Sequence, residues 1–250
     1  MVRFKYHSGF FLTMDFSKYH KDNLKETKQK IKESVDFNNF IVQSINNINE
    51  INRIINTLAK RLREWYELYN PEFSRKTFDH ETFVSAIVNA KDEKPKDSMG
   101  ADISKQDLKP ILDLTKEIDA LFNLKKEQEN YLEKLMQKNC PNITTVAGAL
   151  LGARLVAIAG DLRRLILFPS STVQLLGAEK ALFRHMKTGA RPPKYGVIHE
   201  HPQVAKMPKD KKGKAARVLA DKILLAAKID YFKGEFIGDK LKKEVEAKLK

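Results

Sequence analysis

The chain is short of the residues that several large functional classes require. Among 250 residues there is one cysteine, Cys140, so no intrachain disulfide can form. That excludes a disulfide-stapled fold and points to a reducing compartment. Cys140 precedes Pro141 at an expected helix end and reads as an inert small side chain. Long apolar runs are missing too. The most apolar stretch, Ile143 to Ala159, is interrupted by Arg154 and is short for a bilayer crossing; it reads as a buried helix, and no membrane partner is expected. Met1 to Thr13 is aromatic and basic rather than continuously apolar, unlike a secretory leader. Glycine-rich phosphate loops are absent. Gly148 and Gly152 share one expected helix face, but no strand precedes them and no Gly-Lys-Ser/Thr follows, so close helix packing is the simpler reading. His199 and His201 straddle Glu200 without a third and fourth ligand at fitting spacing, so no metal and no cofactor are expected. No nucleophile–base pair or carboxylate pair stands out, so no catalytic residues are assigned.

Acidic residues are scarce relative to basic ones. Lys and Arg number 46 against 32 Asp and Glu, a net charge of +14 with a pI near 9.6. Such a balance favours polyanionic partners without fixing a fold. The excess is concentrated. Between Arg184 and Arg217 lie ten basic residues and two acidic ones, Glu200 and Asp210, set among Gly and Pro rather than alternating with Glu along a helix.

What the chain does have is helical periodicity. From about Asn23 to Tyr69 the pattern is continuously helical. Ile41, Ile48, Ile55, Leu62 and Tyr69 recur every seven residues, with Ser44, Ile51, Leu58 and Trp65 three positions later. Four such heptads predict a coiled-coil seam. Asn70-Pro71 ends it, because a residue before proline is pushed out of the α region. A second helix is expected from about Ser104 to Asn139, with Ile111, Leu114, Ile118, Leu121, Leu132 and Leu135 on one track and polar Lys125 and Gln128 in its middle. Two long helices with a shorter connector predict an antiparallel hairpin. After Cys140 the composition shifts to Ala, Gly, Leu and Val. Pro169-Ser170-Ser171-Thr172 offers hydroxyl caps to a short helix ending at Gly177. A helix follows over about Ala178 to Lys187, then a Pro/Gly/His/Lys loop to about Lys212. An amphipathic helix spans about Gly213 to Ile229, with Val218, Leu219, Ile223, Leu225 and Ala226 inward, and a basic helix starts near Ile237. No strand alternation is convincing. The expected class is all-α: a basic lead-in, or a remnant of something longer, over 1–22, a coiled-coil hairpin over 23–140, and a compact helical domain over 141–250.

Several of these segments carry a resemblance. They are Leu62-Arg63-Glu64-Trp65-Tyr66 with Pro71-Glu72, Ser98-Met99-Gly100-Ala101, and Tyr131-Leu132-Glu133 with Pro141-Asn142-Ile143-Thr144. Further along come Leu151-Gly152-Ala153-Arg154-Leu155, Pro169 to Gln174, Gly177 to Arg184, Pro192-Pro193-Lys194-Tyr195-Gly196, and Lys212 to Arg217. Over about residues 23 to 240 the chain resembles the Nop family of box C/D RNA–protein particles. The resemblance implies a non-catalytic scaffold for guide-directed 2′-O-ribose methylation of ribosomal or transfer RNA. Its implied partners are a box C/D guide RNA with its substrate duplex, a ribosomal-type kink-turn-binding protein, a second copy of the chain, and the methyltransferase fibrillarin. In the family, fibrillarin docks on an amino-terminal domain; the region ahead of the hairpin here, about 20 residues, is shorter than such a domain. An archaeal, cytoplasmic setting is expected from the lack of a long Lys/Glu-rich tail.

Site residues follow from the match. Gly177, Ala178, Glu179 and Lys180 are expected at a helix N-terminus that faces phosphate. Lys180, Arg184, His185, Lys187, Arg191 and Lys194 are expected on the RNA backbone, with Lys211, Lys214 and Arg217 extending the surface. Leu182 and Phe183 suit stacking on a terminal base pair, and Phe183 suits a core position equally well. Glu179 also fits a plain first-turn acid. The hairpin residues Ile41, Ile48, Ile51, Ile55, Leu58, Leu62, Trp65, Ile118, Leu121 and Leu132 are expected to mediate self-association. Two other classes compete: a coiled-coil assembly protein with no RNA affinity, and a methyltransferase in its own right, for which a Gly-rich nucleotide-binding unit is missing. A spliceosomal relative is a variant of the RNA-binding scaffold reading.

Overall fold

A computed structural model describes residues 17–249 except residue 92. It is 76% helical. The expected lead-in falls outside the described residues up to residue 16, and from Ser17 onward the chain is already helix α1, Ser17–Glu33. The continuous helix expected from Asn23 to Tyr69 is broken. Asp36 ends the break as the N-cap of α2, Phe37–Tyr66, accepting from the Asn38 and Asn39 amides while the Asn39 side chain accepts from the Asp36 amide. This reciprocal capping box stabilises a helix start by about 1 kcal/mol and outweighs the helical pattern on either side.

Helix α2 runs out, and α3 (Pro71–Lys76) and α4 (His80–Val88) form the tip. Helix α5, Lys105–Asn139, returns antiparallel to α2. The pairing buries Ile41, Ile45, Ile48, Ile51, Ile55, Ala59, Leu62 and Tyr66 on α2. Ile45, Ala59 and Tyr66 belong to a stripe broader than a strict heptad seam, as suits a helix wrapped by more than one neighbour. On α5 the buried set is Ile111, Thr115, Ile118, Phe122, Leu132 and Met136. Half of the expected track is therefore displaced by one residue: Thr115, Phe122 and Met136 face inward, whereas Leu114, Leu121 and Leu135 are half-buried. The cause is company on the flank, because α5 also packs on α4 near the tip and on α7 at the base.

The lobe follows: α6 (Pro141–Ala147), α7 (Ala149–Ala159), α8 (Leu162–Leu167), α9 (Ser170–Leu175), α10 (Glu179–Thr188), a 3₁₀ turn (Val197–Glu200), α11 (Pro202–Ala205), α12 (Lys212–Tyr231) and α13 (Gly238–Leu249). The apolar stretch is two helices bent by 113°, not one. Gly148 sits at the bend with φ +83 and open space around it, so it breaks the helix rather than packing it. Gly152 does pack: a Cβ there would stand 2.6 Å from Ile143 Cγ2 and 3.0 Å from Met136 Cε. Among the described residues no single helix is long and apolar enough to cross a membrane. On α12 the inward residues are Leu219, Ile223, Leu224 and five alanines, while Leu225, expected inward, is exposed.

Two apolar clusters result. One fills the tip half of the arm around Tyr66, Phe83 and Ile111. The other fills the lobe and includes Ile41, Ile45, Ile48, Leu132 and Met136 from the base of the arm. The expected boundary at residue 140 is therefore no boundary in packing terms, because the arm's base is part of the lobe's core. A buried joint fixes this end. The Asp230 carboxylate on α12 accepts from the Asn142 amide (3.1 Å), the Asn142 side chain (2.7 Å) and the Ile143 amide (2.8 Å), and Asn142 Oδ1 accepts from the Ile237 amide (2.8 Å). Asp230 thus caps α6 from 88 residues away. Burial raises its pKa above the usual carboxylate range, against these hydrogen bonds, which pull it down. Beside it Cys140 is fully buried, and its thiol is pushed up to about 12 by burial and by Asp230. A thiol so held is a poor nucleophile.

Candidate nucleic-acid interface

Helix α10 contains no buried residue. Phe183 and Met186 are 54% and 67% exposed, and Lys187 Nζ lies 4.8 Å from the centre of the Phe183 ring. Of the two expectations for Phe183, the core position is therefore excluded. Leu182 and Ala178 are half-buried and seat the helix. Two amides just ahead of the helix are engaged within the chain. The Gly177 amide donates to the Glu179 carboxylate at 2.6 Å, and the Ala178 amide donates to the Leu175 carbonyl at 2.9 Å. Glu179, the first residue of the helix, reaches back to the amide before the N-cap, where a negative group is favourable. Gly177 takes φ +84, and a Cβ there would lie 2.4 Å from Val197 Cγ1.

The far end of α10 closes at Gly189 in the left-handed region, with its amide on the His185 carbonyl at 2.9 Å. His185 Nδ1 bonds the Ala190 carbonyl, so this ring turns the loop back along the helix rather than pointing away from the protein. The loop is then pinned to the lobe. The Gly196 amide donates to the Gln174 carbonyl and the Val197 amide to the Leu176 carbonyl, each at 2.8 Å. A Cβ on Gly196 would sit 1.8 Å from the Leu176 oxygen, so only glycine permits this approach. The Gln174 side chain donates to the Lys194 carbonyl at 2.6 Å, and Gly213 at the start of α12 lies against Lys194. The hydroxyl caps expected at Ser170 to Thr172 do not form; Pro169 is the N-cap of α9 without a side-chain bond.

These contacts bring three separated sequence segments into one surface. Lys180, Arg184 and Lys187 lie on α10, Arg191 and Lys194 on the loop, and Lys211, Lys214 and Arg217 at the start of α12. All eight are exposed, and among the described residues none pairs with a carboxylate. The cations converge because Gln174 holds Lys194 beside Gly213. Sequence reasoning passed over Gln174 as a site residue, since a lone glutamine in a short helix carries no signal of its own. It also passed over Arg154, which bonds Glu200 and, at 3.1 Å, Asn49 Oδ1 on the arm. Arg154 thereby ties α7, the 3₁₀ turn after the loop, and α2 together.

The residues expected to mediate self-association are engaged within the chain. Ile41, Ile48, Ile51, Ile55, Leu62, Ile118 and Leu132 are at most 5% exposed in the α2–α5 pairing and the lobe core. A heptad seam reads the same whether its partner is another chain or the other arm of a hairpin. Of the ten, Leu58 and Leu121 are half-buried, and Trp65 is 37% exposed. At the tip the familiar motifs hold one another. Ser98 Oγ and the Met99 amide donate to Glu72 at 2.7 and 2.8 Å, and the Ala101 amide donates to the Leu68 carbonyl at 2.8 Å. Arg63 donates to the Ser74, Phe78 and Asp79 carbonyls at 2.9–3.1 Å and to His80 Nδ1 at 3.0 Å, with its guanidinium 4.3 Å over Phe83.

The architecture is that of an all-α arm-and-lobe protein whose lobe carries an unpaired cationic face. Comparison with known proteins places it more closely. Residues 47–250 match the family model described as "Nop: snoRNA binding domain, fibrillarin", and the chain belongs to that family. It is 38% identical over 258 residues to a NOP5 family protein of Methanocaldococcus jannaschii, covering 93% of this chain and 62% of that one. It is 35% identical over 256 residues to nucleolar protein 56 of Schizosaccharomyces pombe, covering 89% and 51% respectively. The chain thus spans less than two thirds of the length of these relatives. A crystal structure of a fibrillarin/Nop5p complex superimposes with a TM-score of 0.58 at 26% identity, over 97% of this chain and 86% of that chain.

Proposed function

We propose that this chain is a scaffold subunit of a box C/D guide RNA–protein complex and binds folded RNA through the face of α10, the 189–196 loop and the start of α12. The single observation that carries the reading is the arrangement of α10. A ten-residue helix with no buried side chain is held in a fixed place by Gly177, Gly196 and Gln174, and its exposed cations are left without carboxylate partners. Burial gives the fold little return from such a helix; a polyanion gives it a partner. Lys180, Arg184, Lys187, Arg191 and Lys194 neutralise backbone phosphates, and Lys211, Lys214 and Arg217 continue the track. Phe183, exposed and flanked by Lys187, presents a flat face to a terminal base pair. Phosphate contacts position the protein, and RNA shape and base pairing supply selectivity.

In this reading the ribosomal-type kink-turn protein shapes the RNA before this chain docks. The chemistry of 2′-O-methylation belongs to fibrillarin, which the family description names and with which the similar Nop5p chain forms a complex. A second copy pairs through surfaces of the arm other than the closed α2–α5 stripe, with exposed Trp65 and Leu68 beside it. The setting is the cytoplasm of an archaeon, in keeping with the Methanocaldococcus relative.

The test is a salt-titrated binding assay with a kink-turn guide RNA preassembled with its ribosomal-type protein. Arg184→Ala with Lys187→Ala is expected to lower the slope of log K against log salt by about one to two. An unchanged slope and affinity, with the fold intact by circular dichroism, overturns the site.

A further inference from the structure

Helix α1 is exposed at every described side chain, and one of its faces is built of lysine. Lys21, Lys25, Lys28 and Lys32 are spaced four, three and four residues apart, so they fall on a single helical stripe. The stripe extends about 16 Å along the axis. The acids of the helix do not neutralise it. Asp22, beside Lys21 and three residues before Lys25, forms no ion pair among the described residues, while Glu26 is engaged by Lys30 at 2.6 Å and Glu33 by the Gln29 amide at 2.9 Å. None of the four lysines forms an ion pair among the described residues.

This arrangement costs helix stability. The pairs Lys21–Lys25, Lys25–Lys28 and Lys28–Lys32 set like charges one turn apart, each destabilising by about 0.2–0.5 kcal/mol. A 17-residue helix without a buried face is marginal in water, so nothing in the packing offsets that cost. A regular row of unpaired ammonium groups is instead complementary to a regular row of phosphates. Over about 16 Å a duplex presents on the order of ten phosphate charges.

We propose that the Lys21–Lys25–Lys28–Lys32 face of α1 is a second nucleic-acid contact, laid along the backbone of a plain RNA duplex and separate from the α10 face. The choice of RNA over another polyanion rests on the function proposed above; the site rests on α1 alone. It reads charge and not sequence, because lysine offers a point charge without a planar fork. Binding relieves the repulsion between the lysines, so the duplex also raises the helicity of α1.

The experiment uses the whole chain and a 20-base-pair RNA duplex without a kink-turn, followed by fluorescence anisotropy from low to moderate salt. The variant K21Q/K25Q/K28Q/K32Q is expected to lower the salt slope by about three to four. K30Q, on the paired face, is expected to leave it unchanged. Arg184→Ala with Lys187→Ala is measured in parallel on the same duplex and on the kink-turn assembly, so that failure of α10 and failure of α1 are told apart. Circular dichroism is expected to show a helical gain on duplex addition to the wild-type chain and none with the quadruple variant. A quadruple variant with unchanged slope overturns the proposal, as does an equal loss with K30Q. Loss of binding to vesicles of anionic phospholipid with duplex binding intact also overturns it, and assigns the face to a membrane surface.

Discussion

Helices α10 and α12 lie close in sequence, and the fold uses them in opposite ways. Helix α12 buries ten of its twenty residues, two of them ionisable, and touches α6, α8, α9, α11 and α13. Helix α10 buries none. The first is held by what its side chains touch. The second is held at its ends by glycine approaches and backbone bonds. Segments that resemble a family can do so because the fold needs them or because a partner does, and burial separates the two causes. By that measure Asn142, Gly152 and Ala153 belong to the fold, whereas Lys180, Phe183 and Arg184 belong to the surface.

The largest effects are expected on the buried side of the contrast. Asp230→Ala leaves the Asn142 amide, the Asn142 side chain and the Ile143 amide without their acceptor. A buried donor left unpaired costs about 1–3 kcal/mol, so a loss of about 3 kcal/mol or more is expected by urea unfolding. Asp230→Asn keeps an acceptor and removes the charge that burial disfavours, and is expected to lose less. A loss below about 1 kcal/mol for the alanine variant would show that Asp230 does not hold α6 to α12. Leu219, fully buried on α12, comes next: Leu219→Ala is expected to cost about 2–5 kcal/mol in the same measurement.

How much of this contrast was legible in the sequence depends on the kind of contact. Repeating apolar residues gave the two long helices, their antiparallel pairing and the end of α5 at Asn139, because periodicity reports burial directly. The pattern did not reveal that Thr115 and Phe122, rather than Leu114 and Leu121, face inward, since that depends on α4 and α7 covering α5 from the side. Asp230 left no trace, because one acid in an apolar helix reads as solvated until Asn142 is seen beside it. The cationic face was visible as composition, and its convergence was not. Lys194 and Lys214 are joined through Gln174 and Gly213, a relation that no spacing rule encodes.

A smaller effect sharpens the contrast by titration. His201 Nδ1 accepts from the Gln203 amide at 3.3 Å and so caps α11 in its neutral form. Burial lowers its pKa below the usual 6.5, the bond to the Val146 backbone pulls it up, and Lys242 lowers it further. A group whose protonated form is disfavoured by folding stabilises the fold above its unfolded pKa and loses that contribution as pH falls. The lobe is therefore expected to lose stability from about pH 6.5 downward. His201→Gln is expected to flatten that dependence in melts recorded from about pH 7.5 to 5. A wild-type profile level across this range would mean that the ring is not held neutral.

The smallest effect bears most directly on the comparison. If α10 is kept for a partner, its exposed residues contribute almost nothing to folding. Phe183→Ala removes a ring that is more than half exposed and lies beside Lys187, and Arg184→Ala removes a guanidinium without an ion pair among the described residues. Each is expected to change stability by less than about 0.5 kcal/mol, the ordinary range for a surface substitution. The same two changes are expected to weaken binding to the preassembled kink-turn RNA, Phe183→Ala by about 1–3 kcal/mol if its face stacks on a base, and Arg184→Ala through the salt slope. Chemical unfolding and RNA binding, measured on the same samples, should therefore move independently on α10 and together on α12. A Phe183→Ala variant that loses about 2 kcal/mol of stability would place the ring in the fold after all. A variant that loses neither stability nor affinity would leave the exposed aromatic without either role, and the contrast between the two helices would not separate fold from function.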